Sequence, residues 1–309
     1  MKEKVIRLED FLPTVVDKDL AELVCEFARK SIPLRKEFPH RRGKAGSENI
    51  FGEEQIKLDI WTNNYFIDKI GKTGLVGTLL SEESPDPVEL DGGPFNIVMD
   101  PLDGSSNVES NNLFGTIVGV YKNQKIPCQG EKQVAAFYKL YGPITTLVFA
   151  SKGKVYEFVQ HRKGVEQYVL YKENLQMPEP KIYGVGGNPD KWIPEFRAFV
   201  DILRGKGLKL RYGGSFVGDF NQVLFHGGFF GYPSMLNKPC GKLRVVFEGA
   251  PIAYISKTAG GSSSTGSQSI LKVKPEKLDH RIPIYVGNRE LIEELENIYR
   301  ACREAREAF

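Results

Sequence analysis

Along this chain, segments with apolar residues at helical spacing alternate with short apolar runs rich in β-branched residues. Residues 18–36 place Leu20, Leu23, Val24 and Phe27 on one side of a predicted amphipathic helix. The segment PHRRGKAGSENIFGEE (39–54) has no apolar period and many Gly and charged positions, and reads as a loop. Helical spacing returns in IKLDIWTNNYFIDKIGKT (56–73), while LVGTLL (75–80), FNIVM (95–99), FGTIVGVY (114–121) and TTLVFAS (145–151) predict strands. The polar, Pro-bearing stretch YKENLQMPEPK (171–181) marks a boundary, dividing the chain into 1–178 and 179–309. Beyond it the pattern predicts a helix near 192–205, a Gly-rich RYGGSFVGDF and helices at about 242–259 and 288–307. The architecture expected is mixed α/β.

Chemistry enters where the strand FNIVM runs into DPLDGSSN (100–107). Pro101 biases Asp100 toward extended geometry, so the strand runs up to its carboxylate and turns at Asp103-Gly104. Both acids then emerge at one strand end. Ser105 or Ser106 can cap a following helix, whose free N–H groups suit an anion. Two readings stay open for this motif alone: a capped turn with solvated acids, or a divalent cation beside a phosphate.

LVGTLL also ends in acids, Glu82 and Glu83, and ligands of open α/β sheets gather at the carboxyl ends of strands. Carboxylates gathered from two strand ends repel one another unless cations neutralise them, and clustered hard oxygens suit Mg²⁺ or Mn²⁺ better than zinc. Glu248 lies in the mostly apolar KLRVVFEGAPIAYISKTAGG, where Pro251 cannot donate to the Phe247 carbonyl and kinks the helix. A buried Glu needs a partner. Lys242, Arg244 or a metal could serve.

Composition narrows the classes further. The 309 residues, 41% hydrophobic and 26% charged, are those of a globular protein with a large core. A net charge of +3 gives no argument for nucleic acid or a membrane surface, and HRRGK (40–44) reads as a solvated loop. No apolar run approaches the roughly 20 residues of a membrane span. Acids stand in MKEKVIRLEDF where a signal peptide would be apolar, so the expected location is the cytoplasm. Cys25, Cys128, Cys240 and Cys302 form no CxxC pair and read as reduced thiols.

SEE (81–83), DPLDGSSN (100–107), RYGGSFVGD (211–219), GGFFGYP (227–233) and KLRVVFEGAPIAYISKTAGG (242–261) together resemble the fructose-1,6-bisphosphatase family, in matching order from about residue 52 onward. DPLDG alone is shared with the wider lithium-sensitive phosphatases, including inositol monophosphatases. The resemblance implies a layered αβαβα sandwich with an N-terminal metal domain and a C-terminal sugar-phosphate domain. It implies metal ligands at Glu82, Asp100, Asp103, Glu248 and the Leu102 carbonyl, with Glu53 (or Glu54) completing a further site. Asp59 and Glu83 resemble the pair that orients and deprotonates the attacking water. Asp103, Gly104, Ser105, Ser106 and Arg244 would hold the phosphate that is cleaved. Lys242, Tyr212 and Tyr232 would hold the distal phosphate or sugar, and Arg211 resembles a residue lent across a subunit interface.

The activity implied is Mg²⁺-dependent hydrolysis of the 1-phosphate of fructose 1,6-bisphosphate, in gluconeogenesis or a related pathway, by a homo-oligomer, tetrameric by resemblance. Alternatives are a sedoheptulose-1,7-bisphosphatase, an inositol-monophosphatase-type enzyme and a non-catalytic sugar-phosphate sensor. GVGGNPDKW (184–192) departs from the family where an Asn and a Tyr usually meet the distal phosphate, and Asn188 is the candidate substitute. LPTVVDKDLAELV lacks the turn that holds AMP in eukaryotic relatives, which implies no AMP site.

Overall fold

The computed structural model describes residues 5–41, 43–48, 54–90, 92–161 and 167–307. Two sheets carry the fold. In the eight-stranded one, hydrogen-bonded neighbours run Gln167–Lys172, Lys154–His161, Thr145–Ser151, Gln133–Tyr141, Phe114–Lys122, Phe95–Asp103, Val76–Ser81, Val88–Glu89. The five-stranded sheet runs Lys209–Leu210, Ile182–Val185, Gly228–Tyr232, Ile284–Gly287, Ser262–Ser264.

Alternation along the strands sets the layers. Leu79, Ile97, Met99, Val118 and Phe137 point into one core with Leu20, Leu23, Val24 and Phe27 of the helix Lys18–Lys30, and Leu58, Phe66 and Ile70 of Lys57–Gly71. Leu80, Val98, Ile117 and Tyr138 point the other way, onto Phe216, Val217 and Phe220 of Phe216–His226 and Ile252, Ala253 and Ile255 of Ala250–Thr258. Those two helices also contact the second sheet through Phe230, Ile284 and Val286. Tyr183, Phe229 and Tyr285 on its far face meet Phe196, Phe199 and Leu203 of Pro194–Gly205 and Leu291, Ile292 and Leu295 of the last helix, Arg289–Glu307. The result is the expected αβαβα sandwich. Among the described residues no helix is long and apolar enough to cross a membrane.

Several elements depart from their sequence reading. The helix expected over 18–36 stops at Lys30, and Leu34–Glu37 forms a separate short helical turn after Pro33. Part of the expected loop 39–54 is strand: Lys44–Glu48 pairs with Glu54–Ile56 in a ribbon whose residues show no apolar alternation to announce it. Strands Gln133–Tyr141, Lys154–His161 and Gln167–Lys172 were not predicted. Their buried Lys139 and Glu157 interrupt the apolar pattern; Lys139 Nζ donates to the Ser31 carbonyl at 2.9 Å and its hydroxyl at 2.6 Å. The helix expected at 242–259 begins later, as a π-helical turn Val245–Gly249 that passes into Ala250–Thr258. The wide turn absorbs the backbone change that Pro251 imposes, which a regular ladder could not.

Candidate active site

Val76–Ser81 and Phe95–Asp103 are parallel neighbours, with Ser81 opposite Met99, so the acids that follow both strands leave the sheet at one edge. The Glu82 N–H donates to the Met99 carbonyl at 3.0 Å and brings Glu82 beside Asp100. Asn63, one helical turn after Asp59, braces this corner. Its Oδ1 accepts from the Ser81 hydroxyl at 2.6 Å and its Nδ2 donates to the Ser84 hydroxyl at 3.1 Å. Asp59 closes the start of its own helix by accepting the Ile56 N–H at 2.9 Å.

The edge opens into a cavity of about 360 Å³ whose lining includes the acids Asp59, Glu82, Glu83, Asp100, Asp103 and Glu248. Leu102, Gly104, Ser105 and Ser106 line it beside them, and Tyr212, Tyr232, Lys242 and Arg244 close the remaining side. Carboxylate oxygens of Asp100, Asp103 and Glu248 lie within 4.8 Å of one another, close enough for one cation. Glu82 stands just outside that trio, paired with the Arg244 guanidinium.

Burial dominates the electrostatics. It pushes the Asp100 carboxyl well above the usual carboxylate range, and the charges of Glu82, Asp103 and Glu248 push the same way. Glu248 is raised by burial and by Glu82, with the Arg244 charge opposing. Burial raises Asp103 too, against the pull of the Val217 N–H, the Ser215 hydroxyl and the Lys242 ammonium. The Asp59 carboxyl is pushed up to about 8, chiefly by burial, with the Ile56 N–H opposing and Glu83 and Glu82 adding repulsion. Near neutral pH a cation beside carboxyls raised in this way favours their charged forms. An oxygen-only donor set suits a hard divalent ion.

Some expectations change. Ser106 makes no side-chain cap, and the helix after it is a single turn, Asn107–Ser110. The longer helix Phe216–His226 faces the acids instead. Ser215 caps it by accepting the Gly218 N–H at 3.2 Å, while its hydroxyl donates to Asp103 Oδ2 at 2.7 Å and the Val217 N–H reaches the same oxygen at 2.8 Å. Gly104 permits that approach. Its φ is +78°, and a Cβ there would stand 2.4 Å from Ser215 Cβ.

Glu248 accepts the backbone N–H of Arg244 at 2.6 Å, so Arg244, one of the partners expected from the sequence, serves it through its main chain. Asn188 does not line the cavity; its side chain accepts the Asp190 N–H at 3.0 Å and caps Pro189–Lys191. Arg211 lines a separate basic hollow with Lys181, Lys206 and Lys209. Glu53 lies outside the described residues, as does the side chain of Glu54.

Sequence reading missed Ser215 and Asp219. Asp219 accepts the Gly213 and Gly214 N–H groups at 2.6 and 3.1 Å, fixing the loop that carries Tyr212, and burial holds its carboxyl up to about 7. A signal for Ser215 was present: Ser ahead of the apolar FVGDF is an N-cap pattern.

An acidic cluster close enough to share one cation, in a cavity that Lys242 and Arg244 also line, suits the handling of a phosphate. The model of the fructose-1-6-bisphosphatase N-terminal domain matches residues 23–173, and that of the C-terminal domain matches 177–300. A class 1 fructose-1,6-bisphosphatase of Natronomonas pharaonis is 46% identical over 83% of this chain and 90% of its own length. That of Geobacter sulfurreducens is 40% identical over 88% of both. The holo crystal structure of Leishmania major fructose-1,6-bisphosphatase superposes with a TM-score of 0.90 at 28% identity, covering 96% of this chain and 99% of the other. The chain belongs to the fructose-1,6-bisphosphatase family.

Proposed function

We propose that this cavity removes the 1-phosphate of fructose 1,6-bisphosphate to give fructose 6-phosphate, with Mg²⁺, or Mn²⁺ in its place, held by Glu82, Asp100, Asp103, Glu248 and the Leu102 carbonyl. The chain is a metal-dependent sugar-bisphosphate phosphatase that hydrolyses fructose 1,6-bisphosphate. The observation that carries the site is the trio Asp100, Asp103 and Glu248 within 4.8 Å in a cavity that Lys242 and Arg244 also line. Self-repelling acids next to cationic groups have one economical use.

When bound, the metal lowers the pKa of water and neutralises phosphoryl oxygens. The chain's own residues do the rest. Asp59 and Glu83, on the wall that Glu82 shares, orient the attacking water and take its proton. The Ser105 and Ser106 backbone and the Arg244 guanidinium hold the phosphate being cleaved. Lys242, Tyr212 and Tyr232 bind the distal phosphate and sugar, remote contacts that orient the reacting end. Lys242 Nζ sits 5.7 Å from the Tyr232 ring centroid, consistent with both serving one end of the substrate.

Arg211 lines a hollow outside this cavity, which supports its service to a neighbouring subunit in a homo-oligomer. Tyr212 and Leu210, 49% and 60% exposed beside it, give that neighbour apolar surface to cover. The same reading assigns residues 1–178 to metal binding and 179–309 to the sugar phosphate, and places the enzyme in the cytoplasm.

Phosphate release by the purified protein tests the substrate. Fructose 1,6-bisphosphate, sedoheptulose 1,7-bisphosphate and inositol 1-phosphate are compared by kcat/KM, with Mg²⁺ and with chelator. Metal-dependent preference for fructose 1,6-bisphosphate is expected. Preference for the seven-carbon ketose would reassign the sugar, and preference for inositol phosphate would remove Lys242, Tyr212 and Tyr232 from their roles.

A further inference from the structure

The Arg244 side chain is only 3% exposed, and a buried guanidinium is stable only when partners surround it. One edge pairs with Glu82. At the other edge Nε donates to Asp279 Oδ1 at 2.8 Å. The same Oδ1 accepts from Nε of Arg281 at 3.1 Å, and Arg281 Nη1 donates to the Lys242 carbonyl at 3.2 Å. An antiparallel bridge pairs Arg244 with Arg281, through Val245 N–H to the His280 carbonyl at 2.9 Å and Ile282 N–H to the Leu243 carbonyl at 3.1 Å. Asp279 itself does not line the cavity.

A guanidinium is planar, so fixing Nε fixes the plane in which its Nη groups can donate. Without that anchor, Arg244 would turn fully toward the nearest acids, Glu82 among them. Arg281 ties the same carboxylate to the backbone of Lys242, so a single side chain braces the segment that carries both Lys242 and Arg244.

We propose that Asp279 is a positioning residue for phosphate-ester hydrolysis: it aims the Arg244 guanidinium at the reacting phosphate and, through Arg281, fixes Lys242 relative to it. This rests on the reading of Arg244 as a phosphate-holding group.

The test measures kcat and KM for fructose 1,6-bisphosphate, the Ki of inorganic phosphate as product inhibitor, and Tm, all at saturating Mg²⁺. The variants are Asp279→Ala, Asp279→Asn, Asp279→Glu and Arg244→Gln. Asp279→Ala is expected to raise the phosphate Ki and lower kcat by about tenfold each, the scale of one charge-assisted hydrogen bond. KM should change less and Tm by only a few degrees. Asp279→Glu should recover part of both losses. If Asp279→Ala fails to fold, Asp279→Asn, which keeps the size and an acceptor oxygen, carries the test through the same two constants.

Arg244→Gln separates the two layers of the argument. Phosphate Ki and kcat unchanged in the folded Asp279 variants, with Arg244→Gln impaired, would overturn the positioning role alone. Unchanged values in Arg244→Gln would overturn the reading of Arg244 and this inference with it. A loss of Tm with Ki unchanged would make Asp279 merely structural.

Discussion

Replacing Asp100 by alanine is expected to lower kcat for fructose 1,6-bisphosphate by on the order of 10²–10³-fold or more, as loss of a main electrostatic stabiliser does, without unfolding the protein. Asp100 is the acid on which the others converge: Glu82, Asp103 and Glu248 all push its carboxyl upward. Within the turn it accepts the Leu102 N–H at 2.9 Å, and that turn is also held by Asp103. Removing it therefore costs the fold little and relieves repulsion. In chelator the variant should melt at or above the wild-type temperature, while Mg²⁺ should raise its Tm much less than it raises that of wild type. Substantial activity at saturating Mg²⁺ would take Asp100 out of the metal site.

Metal and protons should compete for the same carboxyls, with a sign that the burial of the acids dictates. Asp59 is held at about 8 and Asp219 at about 7, and Asp100, Asp103 and Glu248 are raised in the same direction. An unfolded chain releases these protons near pH 4. Between there and about 8 the metal-free folded protein holds more protons than the unfolded one, so its stability is complete below the unfolded pKa and is lost as the pH rises. In chelator, Tm should fall from about pH 5 to about pH 8. Mg²⁺ binds the charged forms, so its affinity should strengthen over that window and offset the fall, by about 2.7 kcal/mol at a hundred times Kd. Thermal melts across this range, with and without Mg²⁺, measure both. Parallel profiles would show that these acids do not bind the metal.

The fold's outline was legible because strand ends announce themselves. LVGTLL and FNIVM are apolar runs that stop abruptly in acids, and a parallel pairing of their ends follows from ordinary α/β topology. Glu248 was legible as an anomaly, an acid in an apolar helix, and Pro251 correctly signalled that its ladder is broken. What replaced the ladder was not legible, because a π-helical turn leaves no separate residue pattern. Nor were partners distant in sequence. Asp103 is held by Ser215 and Val217, and Arg244 by Asp279, through contacts that no spacing encodes. Lys139 hid its strand because a buried ammonium is affordable only where Ser31 meets it from another element. Arg211 came from resemblance, and its place in a second hollow follows from the short edge strand Lys209–Leu210.

The most direct measurement is anomalous diffraction from crystals grown with Mn²⁺, fructose 6-phosphate and inorganic phosphate. Manganese should appear against the carboxylates of Asp100, Asp103 and Glu248, with phosphate between it and Arg244 and the sugar phosphate at Lys242, Tyr212 and Tyr232. Manganese bound elsewhere, with this cavity free of both metal and phosphate, would contradict the assignment of the active site.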